Sequence, residues 1–209
     1  MSSYTFDVPV HFHDLGMHLD DDQRAVHLRE LACEIWAGGT EAQRAGVQQF
    51  YGELADAAAE DGASYAGVCL MATEDDRVST ASLVARSETL EPAADPEAVI
   101  ETLEEVLSLD PAADVHRTET EQGPAVVAFS GVEWTPVPER PALPLVRVDV
   151  YLPLPEISEL LVFSLTTPSL PDLPQYVALL SELTDTVEVL TDDPVPLPVQ
   201  RPAERAPLF

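Results

Sequence analysis

The stretch SYAGVCLMATEDDRVSTASLVAR, residues 64–86, decides the fold. From Tyr65 to Ala72 every residue is apolar or glycine, which suits a strand covered on both faces better than a surface helix. Glu74 to Asp76 supplies turn residues, and Val78 to Arg86 resumes a strand pattern. Two such runs joined by a short turn predict a β-hairpin, so the core is expected to be an antiparallel sheet.

Downstream, Asp95 followed by Pro96 is a cap and first-turn pair, and Val99, Ile100, Leu103, Val106 and Leu107 place an apolar stripe on the helix they open. Pro111 closes it. Val115 to Thr120, a Gln122-Gly123 turn and Ala125 to Val132 read as a second hairpin, followed by a proline-rich bend from Pro136 to Pro144. Val146, Val148, Val150 and Leu152 then alternate with Arg147, Asp149 and Tyr151, and Leu160 to Thr166 supplies a last strand. A final helix begins at Pro174, with Tyr176, Leu179, Leu180 and Leu183 facing inward.

Upstream, Phe6, Val8, Val10 and Phe12 alternate with polar residues, which predicts one half-buried strand over residues 5–13. Asp20 to Asp22 suits the positive end of a helix carrying Leu28, Leu31, Ala32 and Ile35, stopped at Gly38 and Gly39. Thr40 with Gln43 is a capping box that opens a second amphipathic helix through Val47, Phe50, Tyr51, Leu54 and Ala58. The two helices are expected to form a hairpin. The prediction is an α+β protein with a mostly antiparallel sheet of about six strands and flanking helices. It forms a single domain over 1–190, with a strand and helical hairpin over 4–62 and the core over 63–190. A proline-rich, disordered tail over 191–209 follows.

The order from Tyr65 onward, together with the phrase Gly123-Pro124-Ala125-Val126-Val127 where a turn feeds a strand, resembles the PsbP-like superfamily. That group includes photosystem extrinsic subunits, a Ran-binding nuclear import factor and the Eag chaperones of bacterial effectors. The resemblance implies an adaptor or chaperone without a shared catalytic centre, and it transfers no functional residue.

Charge narrows the function. Thirty-eight acidic residues face ten basic ones, all arginine, for a formal net charge of −28. A field of that sign opposes nucleic acid and anionic membrane surfaces, which are held by cationic side chains, and favours a basic protein partner. With no apolar run of about 20 residues and no secretion-signal pattern at the start, cytoplasmic residence is the expectation. Cys33 and Cys69 are expected to be buried, reduced packing residues. Neither cysteine, nor Ser64 or Ser130, stands in a nucleophile motif. Scattered glycines without lysine offer no phosphate loop.

The sequence therefore points to a non-catalytic interaction module that needs no cofactor. The candidate contact residues are the helical aromatics Trp36, Phe50 and Tyr51. In the tail they are Pro196 and Pro198, within a run preorganised for an aromatic groove, and the terminal Leu208 and Phe209. Two alternatives stand beside this reading. One is an acidic mimic of nucleic acid occupying a basic partner. The other is a small metal-dependent enzyme using His11 and His13, which are two apart on the first strand with Asp14, His18 and Asp20 nearby.

Overall fold

The computed structural model describes residues 3–92, 94–135 and 141–190. They form an α+β fold in which one antiparallel sheet carries helices on both faces. Its elements in chain order are β1 (Ser3–Thr5), β2 (Phe12–Asp14), α1 (Asp21–Ile35), α2 (Glu41–Glu60), β3 (Ala63–Ala72) and β4 (Val78–Thr89). There follow α3 (Pro96–Leu107), β5 (Asp114–Thr120), β6 (Gly123–Trp134), β7 (Leu143–Leu154), β8 (Glu159–Thr167), α4 (Leu173–Asp185) and β9 (Glu188–Leu190). Seven strands run in the order β2-β3-β4-β8-β7-β6-β5, every pair antiparallel, while β1 and β9 pair apart from them.

The signals read in the sequence act where expected. Asp20 caps α1 by accepting the Gln23 N–H, and Thr40 and Gln43 close a reciprocal capping box on α2. Asp95 caps α3 with Pro96 in its first turn. β3 and β4 form the predicted hairpin, and at the β5–β6 turn Gly123 takes φ +119, a conformation that side-chain-bearing residues rarely adopt. β5, β6, β7 and β8 continue as a meander that joins the first hairpin through the β4–β8 pairing.

Alternation sorts the core into layers. Leu83 of β4, Val148 and Val150 of β7, and Leu161, Phe163 and Leu165 of β8 point to one face. There Tyr176, Leu180 and Leu183 of α4 and the incoming Phe6 cover them. Phe6 meets the Phe163 ring edge-on at 5.1 Å. The opposite face is covered in two places. Leu28, Leu31, Tyr51, Ala55 and Ala58 of α1 and α2 lie over Ala66 and Val68 of β3. Ile100 of α3 lies over Val126, Ala128 and Val162.

Two expectations need correction. The single strand over 5–13 is two short strands in different sheets, and Val10 is exposed. Pro9, which has no N–H to donate to a ladder, accepts the Phe12 N–H in a turn and breaks the run between β1 and β2. Cys33 lies on the exposed side of α1 whereas Cys69 is buried. Within the expected domain of 1–190, Glu188 to Leu190 follows the last helix and returns to pair with Ser3 to Thr5. The tail residues Pro196, Pro198, Leu208 and Phe209 lie outside the described residues.

Candidate functional site

The helix pair brings the three aromatics named from sequence into different settings. Tyr51 belongs to the core under α2 and carries no surface role. Burial lifts its phenol above the ordinary range, opposed by a hydrogen bond with Trp36. Trp36, at the C-cap of α1, is 40% exposed and Phe50 is 37% exposed. Phe50 in turn meets Trp134 at the far end of β6, ring centroids 5.7 Å apart, and Trp134 is 38% exposed. Leu143, which faces Trp134 in the β6–β7 register, is exposed as well. Helix and sheet thus share one exposed aromatic and aliphatic patch, of the residue types that dominate binding energetics. Trp134 was missed because the sequence reading ended its strand at Val132.

From this patch the face covered by α1, α2 and α3 continues along β6 and β7, where the register lays out polar side chains in two adjacent rows. One row is Ser82, Thr166, Arg147 and Ser130, and the next is Val84, Ser164, Asp149 and Ala128. Directly opposed side chains on one face lie within interaction range. Asp149 is only 4% exposed at its side chain, and its Oδ2 accepts from Arg147 Nε at 2.7 Å. Its Oδ1 is buried and has no hydrogen-bond partner among the described residues. Tyr151 follows in the next row. Its phenol is pushed up by burial and by Asp149, and the Arg147 and Arg86 guanidinium groups oppose this. Arg86 is itself 3.6 Å from Glu88. A charged floor built on four central strands is unusual in a sheet otherwise lined with Val, Leu and Phe.

On the other face a chain of polar contacts crosses from the β3–β4 turn to α4. Arg77 pairs with Asp75 at 2.7 Å and with Asp172, at the start of α4, at 3.2 Å. Ser79 and Tyr176 share a 2.8 Å hydrogen bond in the core. Cys69 is next to Tyr176, and burial pushes its thiol up to about 12, which keeps it neutral and a poor nucleophile. This network ties elements together.

The predicted pair His11 and His13 does not come together; it is His18 and His27 that gather at Asp14, which anchors a loop. Asp14 accepts the Gly16 N–H, His18 is 3.5 Å from its carboxylate, and His27 Nε2 lies 2.7 Å from its carbonyl oxygen. His13 is half-buried on β2, and burial lowers its pKa while Glu34 opposes that. His11 is exposed outside any strand. Among the described residues no group of three or more His, Cys, Asp or Glu side chains is placed to hold a metal ion. No helix among them is long and apolar enough to cross a membrane. Comparison of the chain with protein-family models, curated proteins and solved structures finds no match.

Proposed function

We propose that this chain is a non-catalytic protein-interaction module of the cytoplasm that binds a basic protein partner. The observation that carries the reading is the exposed patch of Phe50, Trp134 and Leu143 spanning α2 and the β6–β7 edge, with Trp36 nearby on α1. Large aromatics left in water are costly unless something covers them, and aromatic rings lose little entropy on docking. The net charge of −28 supplies the complementary term, steering cationic surfaces toward the molecule and repelling anionic ones. The likeness of the element order to the PsbP-like superfamily supports the same class of role, an adaptor or chaperone.

The test is capture from extracts of the source cell on immobilised protein at about 50 and about 300 mM salt. A protein retained at the lower salt, released at the higher, and not retained by the Phe50→Ala/Trp134→Ala double variant is the expected result. Retention unaffected by the double variant, or no salt-sensitive protein at all, would falsify the reading.

A further inference from the structure

We infer that the polar floor around Asp149 is a subsite for an arginine side chain of the basic partner, an assignment that rests on the interaction reading above. The argument begins with the carboxylate. Asp149 is almost wholly withdrawn from water, yet only one of its oxygens is engaged, by Arg147 Nε. The other, Oδ1, is buried with no donor among the described residues. A buried anion left half-satisfied is costly, and a carboxylate has room for a second donor on that oxygen.

The surroundings select the class of donor. Ser164 stands opposite Asp149 in the register, and Ser130 stands opposite Arg147, so two hydroxyl-bearing residues neighbour the Asp149–Arg147 pair. A guanidinium, planar and weakly hydrated, reaches a carboxylate oxygen and a neighbouring hydroxyl at once. An ammonium acts as a point charge and gives up more hydration. The subsite requires Arg147, 43% exposed at its side chain and bonded to Oδ2, to shift so that the incoming guanidinium reaches Oδ1. An anionic ligand fits poorly, because Arg147 and Arg86 are already matched by Asp149 and Glu88. A metal ion would need ligands that the described residues do not gather here.

Register also sets a spacing. Ala128 pairs with Asp149 and Trp134 with Leu143, so six residues of β6 separate the carboxylate from the aromatic patch. That is roughly 20 Å along the strand. The partner segment therefore lies extended along β6 and β7, with an apolar side chain at Trp134 and Phe50 and its arginine about six residues away.

The experiment uses a synthetic peptide with one leucine and, about six residues on, one arginine, compared with a copy carrying citrulline in place of the arginine. Binding to the full chain is followed through the indole N–H resonance of Trp134, assigned against Trp36→Phe. Expected are saturable binding of the arginine peptide, about tenfold weaker binding of the citrulline copy, and loss of that difference in Asp149→Asn. Equal affinity for the two peptides on the unaltered protein overturns the subsite without relying on any variant's folding. So does an Asp149→Asn change that alters only self-association, or one whose effect vanishes when residues 191–209 are removed. A natural partner captured through Phe50 and Trp134 but indifferent to Asp149→Asn sinks the arginine subsite and leaves the interaction reading intact. Failure to capture any partner, with no response at Trp134, removes both.

Discussion

A methyl group added at Gly67 would lie 2.3 Å from the Tyr65 hydroxyl oxygen, because the Tyr65 ring folds back over its neighbour two residues along β3. That oxygen is buried without a hydrogen-bond partner among the described residues. Two consequences are separable. Gly67→Ala is expected to destabilise by about 1–3 kcal/mol through overpacking. Tyr65→Phe, which deletes an unsatisfied polar atom, should leave stability unchanged or slightly raised. In the double variant part of the Gly67→Ala loss should return, since the nearest obstacle retreats to the ring carbon 2.9 Å away. Urea unfolding of the four proteins checks this, and full additivity would contradict it. Gly67 was legible as one member of an apolar strand, but its reason for being glycine lies in a side-chain packing that no periodicity reports. Asp149 was equally hidden, because one carboxylate among thirty-eight acidic residues carries no mark of burial until the strands are paired.

Between elements, Arg77 is the tie that joins the β3–β4 turn to the start of α4. Its hydrogen bonds hold the Asp75 carboxyl down to about 2 and hold Asp172 below its ordinary value of 3.8. A carboxyl depressed in the folded state adds stability that is fully present above its unfolded pKa and is lost as pH falls through the folded one. The contribution from this pair is therefore complete near neutrality and disappears between about 4 and about 2. Arg77→Gln should lower Tm at pH 7 and flatten its fall across that window. Thermal unfolding at both ends of the window measures it, and a parallel displacement of the whole curve would count against the tie.

Elements with strong local grammar were readable in advance: Thr40 with Gln43, Asp95 with Pro96, and the unbroken apolar run from Tyr65. The three-residue strands β1, β2 and β9 were not. A strand that short has no period, and its existence depends on a partner distant in sequence, Ser3 on Leu190 and Phe12 on Cys69. Trp134 fell beyond the predicted strand end for a related reason, since β6 is prolonged by its pairing with β7.

At the scale of the whole molecule the charge dominates. A net −28 on a chain of this size repels itself, and the folded state concentrates that repulsion. Moderate salt should stabilise the protein: raising sodium chloride from about 20 to about 500 mM, which shortens the screening length several-fold, is expected to raise Tm by a few degrees. The same addition should weaken partner capture, so stability and binding respond to salt in opposite directions. A Tm that falls with sodium chloride would show that local ion pairs such as Arg77–Asp172 outweigh long-range repulsion.

The pairing of β1 with β9 brings Ser3 directly against Leu190 and leaves the two strands running away from that point together. Tension applied through the two ends of this segment would therefore act across the ribbon rather than along it, opening its three residue pairs one after another like a zip. The seven-stranded sheet carries load only after that clasp has parted, which makes the clasp a mechanical fuse.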